Sequence, residues 1–223
     1  MDPYNLIIKI CVNAIPLILA ITLHEAAHGY VARMFGDNTA YMLGRVTLNP
    51  AKHIDPIGTI AFPLVSMALG GFFFGWARPV PVNFNNLRRP KQDMLWVAAA
   101  GPASNAVQAL AWGAVAKSVD LLASPASGLA AQFWFSVAIA GIGWNVAIAI
   151  FNLFPILPLD GGRMVTSLLP NRMAYSYSRL EPYGLPILIG LIVLMAMYAP
   201  LGHAFNALLG GVEQVFYSLF GLR

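Results

Sequence analysis

Cysteine is nearly absent. Cys11 stands alone, so an intrachain disulfide is impossible, a thiolate metal cluster is excluded, and the residue reads as a small apolar filler of a helix. Charge is scarce too: 10% of the 223 residues are Asp, Glu, Lys or Arg, against about 25% in a soluble domain, while 58% are hydrophobic. This composition belongs to an integral membrane protein. The chain opens M-D-P-Y-N, without a basic n-region or a small-residue cleavage site, so its first apolar run is expected to stay in the mature protein. There is no internal repeat, charged tail or separating linker, which leaves one polytopic domain over residues 1–223. The net charge of +4 comes without a basic and aromatic surface motif. Nucleic acid is therefore not an expected partner, and the lipid bilayer is.

What the chain does have is long apolar runs, measured against a hydrocarbon core that needs about 20 helical residues. They lie near Leu6–Phe35, Pro56–Ala77, Met94–Ala116 and in a charge-free stretch of 39 residues from Leu121 to Leu159. The turn signal S-P-A-S-G at Ser124–Gly128 confines the spanning part of the last to about Gln132–Phe154. Two shorter candidates follow Pro182, split by Tyr198–His203.

The basic residues assign a side. A first helix running inward puts Arg33, Arg45 and Lys52 inside, following the positive-inside tendency. Arg78, Arg88, Arg89 and Lys91 belong inside too, which a single crossing by 56–77 would prevent. That run carries Gly58, Pro63, Gly70, Gly71 and Gly75 and is expected to dip in and return, the competing reading being a plain span with the cations outside. With the dip, Arg163, Arg172, Arg179 and Arg223 also fall inside, leaving only Lys9 and Lys117 outside. The expected fold is an all-α integral membrane protein with about five full transmembrane helices and one re-entrant or broken segment.

The first run ends in T-L-H-E-A-A-H-G-Y. His24 and His28 are four positions apart, about 40° of rotation and 6 Å of rise on a helix, so both imidazoles can reach one metal at about 2.0 Å. Glu25, rotated about 100° from His24, sits beside such a metal, where a general base belongs. The bland alternative, polar residues satisfied by packing, is costly for three ionisable groups near a membrane interior. A catalytic zinc site needs three protein ligands and an open position. Asp160, in F-N-L-F-P-I-L-P-L-D-G-G-R, is the candidate third: Pro155 and Pro158 interrupt a helix, and Gly161 and Gly162 permit irregular backbone. His28 lies about 7.5 Å of helix before Arg33, and Asp160 about 4.5 Å before Arg163, so both motifs sit just inside the same face.

H-E-A-A-H followed by N-L-F-P-I-L-P-L-D-G-G resembles the site-2 protease family of intramembrane zinc metalloproteases. A-A-G-P-A-S-N at Ala99–Asn105 is similar to that family's glycine-proline motif. L-N-P-A-K-H-I-D-P-I-G-T at Leu48–Thr59 resembles its compact prokaryotic branch, without PDZ or CBS domains. The resemblance implies one zinc per chain on His24, His28 and Asp160, with Glu25 as general base. It implies a transmembrane protein substrate, cleaved in or near its helix, and a prokaryotic cell membrane with the site near the cytoplasmic face. Asn152 and Asn145, about two turns apart on one side of a helix, are candidate substrate or oxyanion contacts, Asn145 alternatively joining helices by hydrogen bonds. His53 reads either as an extra or inhibitory metal ligand or as an interfacial loop residue. Asp55 is expected to cap the broken segment.

Ala40–Leu48 alternates like a short strand, a small β element near the site that could pair with an extended substrate or merely cover it. The competing function is a membrane metal transporter or channel component using the same ligands; Glu25 discriminates, since transport has no need of a general base. An inactive scaffold homologue is a third reading, disfavoured by the intact motifs.

Overall fold

The computed structural model describes residues 3–55, 58, 78–123 and 128–222. The first apolar run forms α1 (Pro3–Met34), with Pro16 inside it, followed by the short α2 (Thr39–Met42). Then come α3 (Pro90–Leu122), started by a proline in its first turn, and α4 (Gly128–Asn152). Four further helices close the chain: α5 (Asp160–Leu168), α6 (Asn171–Ser178), α7 (Gly184–Met197) and α8 (Ala199–Leu219). Tyr198 is extended and separates the last two, within the expected split at 198–203.

Among the described residues three segments are long and apolar enough to cross a membrane: Ile7–Met34, Gly128–Asn152 and Asn171–Met197. Five such spans were expected. The helices α3 and α8, of 33 and 21 residues, have the length but not the apolar composition. The expected re-entrant run at 56–77 lies, apart from Gly58, outside the described residues.

α3 is the hub, packing on α1, α4 and α5, while α8 closes against α4. Small residues make the α3–α4 seam: Ala109, Ala116 and Ala138 are buried with Ile142 and Val146, as expected where helices associate by close approach. Large apolar side chains also face outward, and polar ones lie inside. Ile7, Ile10, Val107, Leu129, Ile189 and Val193 are exposed, while Thr22, Asn105, Gln108 and Asn145 are buried. An apolar exterior around a hydrogen-bonded interior is what lipid as solvent demands.

The prolines act as expected at the end of α4, which stops at Asn152 and gives way to an irregular stretch before α5 begins at Asp160. A Cβ at Gly161 would stand 2.2 Å from the Leu153 carbonyl oxygen, and one at Gly162 2.5 Å from the Leu157 nitrogen. Only glycine lets this stretch fold back on the first turn of α5. Lys91 Nζ then ties the start of α3 to the Leu169 carbonyl and, at 2.8 Å, to Asn171 Oδ1.

The expected β element at Ala40–Leu48 is corrected: these residues form the end of α2, turns and bends, and no strand. Asp37 decides against alternation. Its buried carboxylate accepts the Thr39 N–H and hydroxyl, starting a helical turn, which continues as Met42 N–H donates to Asn38 O and Leu43 N–H to Thr39 O. Gly44, at φ +62°, ends it. Local capping outweighs a period-two pattern of only a few residues. Asp37 also accepts the Asn83 N–H (2.7 Å) and Asn86 Nδ2 (3.1 Å), binding the end of α1 to the 83–86 turn. Burial alone would raise this carboxyl, but the hydrogen bonds from Thr39, Asn83 and Asn86 outweigh it and hold it below the usual carboxylate range.

Candidate metal centre

α1 presents His24 and His28 one turn apart toward α3, and the first turn of α5 brings Asp160 to them. The two Nε2 atoms are 3.1 Å apart, and Asp160 Oδ2 lies 3.2 Å from His24 Nε2 and 3.3 Å from His28 Nε2. A tetrahedral ion with bonds of about 2.0 Å separates its ligands by about 3.3 Å, so this triangle already has the required edge length.

Proton bookkeeping leads to the same fit. Asn145 Nδ2 donates to the Gly141 carbonyl (2.8 Å), which can only accept, so Asn145 Oδ1 is the oxygen that receives Asn105 Nδ2 at 2.8 Å. Asn105 Oδ1 is then the atom 2.6 Å from His24 Nδ1, and that nitrogen must carry the proton. His28 Nδ1 likewise donates to the Val97 carbonyl at 2.7 Å. In the neutral form that binds a metal, both rings turn a bare Nε2 lone pair toward Asp160 Oδ2, a buried oxygen with no hydrogen-bond partner. Three acceptors converging without a proton between them repel, and a cation removes the repulsion. The donor set therefore fits a zinc ion, with two nitrogens and one carboxylate oxygen.

Close approach of α3 is a condition of this geometry. A Cβ at Gly101 would lie 2.4 Å from His28 Nε2 and 2.5 Å from His24 Nε2, so any other residue would intrude on the centre.

Glu25 stands outside the cluster of three. Its Oε2 accepts the Val80 N–H at 2.8 Å, which fixes one carboxylate oxygen. Asn145 is fully buried, with its oxygen and one amide hydrogen spent on Asn105 and Gly141. Asn152, near the end of α4 and half-buried, donates through Nδ2 to the Ile148 carbonyl at 3.0 Å. His53 is not brought to the centre. It is 1% exposed in the loop after α2, its Nε2 bonded to the Thr47 carbonyl at 2.9 Å. Asp55 Oδ1 accepts the Gly58 N–H at 2.7 Å, an N-cap pattern.

Sequence reasoning noted Gly101 and Asn105 only within the A-A-G-P-A-S-N motif, without a role for either, and did not note the Val80 N–H. For the first two a signal existed: a glycine and an amide at i and i+4 share a face of one helix, which marks a close approach with a polar partner opposite. The Val80 contact has no local signature.

Comparison with known proteins places the chain among peptidases. The model of "Peptidase family M50" matches residues 115–197. The chain is 36% identical over 211 residues to "Putative zinc metalloprotease YwhC" of Bacillus subtilis (strain 168), covering 92% of this chain and 91% of that protein. It is 29% identical over 181 residues to "Putative zinc metalloprotease Rip2" of Mycolicibacterium smegmatis, covering 81% and 66% respectively. No solved structure matches at a significant level.

Proposed function

Since the chain belongs to peptidase family M50, the site-2 proteases, we propose that it is an intramembrane zinc endopeptidase, cleaving a peptide bond in or near the transmembrane helix of a membrane-protein substrate. The observation that carries this reading is the convergence of His24 Nε2, His28 Nε2 and Asp160 Oδ2 within 3.1–3.3 Å, one residue from a carboxylate outside the cluster.

One zinc ion per chain, held by His24, His28 and Asp160, would supply Lewis acidity and a nucleophilic water near neutral pH. Glu25 is the general base: it takes the proton of the attacking water and delivers it to the amine that leaves as the C–N bond breaks. Its tether to Val80 leaves Oε1 for that traffic. Asn152 donates the second hydrogen of its amide to the substrate carbonyl oxygen as negative charge develops there, the first being held by Ile148. Asn145 serves the centre indirectly, through Asn105 and the ring of His24. His53 holds the loop and is not a ligand in this reading.

The topology that accompanies it has five crossings, with residues 56–77 re-entering and the site near the cytoplasmic face of a prokaryotic cell membrane. Contact of Asp160 with His24 and His28 supports it, because both motifs then open on one side. Two crossings by α3 and α4 return the chain to that side, and one more through 56–77 would not.

The test is co-expression with a panel of single-pass membrane proteins, comparing wild type with Glu25→Gln. Full-length substrate should accumulate in the variant while zinc content stays near one per chain. Identical membrane proteomes in the two strains would overturn the reading.

A further inference from the structure

Glu25 is anchored by a piece of chain far from it in sequence, and that piece is itself held. Arg78 N–H donates to the His53 carbonyl at 2.9 Å, and Arg45 Nη2 donates to the carbonyls of Arg78 (2.9 Å) and Pro79 (3.3 Å). The next residue, Val80, gives its N–H to Glu25 Oε2 at 2.8 Å. Pro79 and Pro81 lack an N–H and favour extended backbone around Val80, so this is the single donor that Pro79–Pro81 can offer the carboxylate. The Val80 side chain is buried against α1: a Cβ at Gly29 would come within 3.1 Å of Val80 Cγ1 and 2.8 Å of Val46 Cγ2. Backbone, side chain and one guanidinium nitrogen thus aim one N–H at one oxygen, one helical turn before Gly29.

Resting on the assignment of Glu25 as general base, we infer that Arg45 is a positioning residue for it, acting through the backbone of Arg78–Val80. Arg45 does not touch the three metal-binding atoms. It joins two successive carbonyls whose placement fixes the direction of the next N–H, and that N–H selects the conformation of the Glu25 side chain. A base that must reach a water on one side and a leaving nitrogen on the other depends on that selection, since general-base catalysis falls steeply with misplacement. Both bonds come from the one nitrogen Nη2, whose two hydrogens lie in the fixed guanidinium plane; lysine would keep the charge and the donors but not that fixed direction.

Arg45→Gln removes the guanidinium, and Val80→Pro removes the N–H while keeping extended backbone between two prolines. With the membrane protein that accumulates in the Glu25→Gln strain as substrate, each variant should lower kcat about tenfold or more and leave KM and zinc content unchanged. The double variant should lose little beyond the worse single one, and Arg45→Lys should fall between wild type and Arg45→Gln. Independently of turnover, carbodiimide labelling of Glu25 in the purified zinc protein, referenced to the exposed Asp120, should rise several-fold in both single variants. Unchanged labelling of Glu25, additive losses in the double variant, or a drop that appears in KM alone would overturn the inference. Labelling that rises in a protein whose wild type cleaves nothing would sink the peptidase reading and leave the Arg45–Glu25 relationship standing.

Discussion

Asn105 Oδ1 lies 2.6 Å from His24 Nδ1, and the identity of that oxygen is fixed two residues away by the Gly141 carbonyl. A backbone acceptor in α4 therefore sets the tautomer of a histidine in α1. Asn105→Ala removes the ring's partner, and Asn145→Ala leaves the Asn105 amide held only by the longer bond of its Nδ2 to the Ala20 carbonyl at 3.3 Å, so that its oxygen is less firmly kept on the ring. Zinc affinity, measured by chelator competition on the purified protein, should fall about 10–100-fold for Asn105→Ala and less for Asn145→Ala. Equal affinity in all three proteins would show that the relay does not orient His24.

Gly101→Ala tests the same centre sterically. Its methyl would occupy space 2.4–2.5 Å from both histidine Nε2 atoms, where a zinc bond must form. Purified Gly101→Ala should carry well under half the zinc of wild type. Loss of metal with an intact elution profile in detergent separates this effect from misfolding, whereas full occupancy would place the centre elsewhere.

The site was legible in sequence to the extent that chemistry is local. His24, Glu25 and His28 share one helix, and the prolines and glycines around Asp160 announce a broken backbone, so both halves can be found without knowing how they meet. Asn105 was harder, because its meaning depends on the crossing of α1, α3 and α4. Val80 could not be read at all: a backbone N–H has no side chain to mark it. The failure at Ala40–Leu48 has a different origin, since the alternating pattern was short and a carboxylate three residues upstream of Ala40 supplied stronger local hydrogen bonds.

Asp37 makes that loop pH-sensitive. Its carboxyl is held below the usual range, so it contributes stability that is fully present above its unfolded pKa of about 3.9 and is lost as pH falls through the lower folded value. Asp37→Asn puts an amide donor among donors and should cost about 1–3 kcal/mol near neutrality. Because asparagine does not titrate, the gap in melting temperature between the two proteins should narrow below about pH 4. A gap independent of pH from 3 to 7 would mean that the charge on Asp37 contributes nothing.

The side of the membrane on which the centre opens can be read from one residue. Asn85 is exposed in the turn between the 56–77 run and α3, near Arg78, Arg88 and Arg89. Cys11 is the chain's only cysteine, so Cys11→Ala gives a background in which Asn85→Cys is the sole thiol. If 56–77 re-enters, this thiol lies in the cytoplasm. An impermeant maleimide should then fail to label it in intact cells and label it fully in inverted vesicles. The opposite pattern would make 56–77 a full crossing. The joined positions of His28 and Asp160 would then require that α3 and α4 not both span, so a single labelling experiment bears on the path of the whole chain.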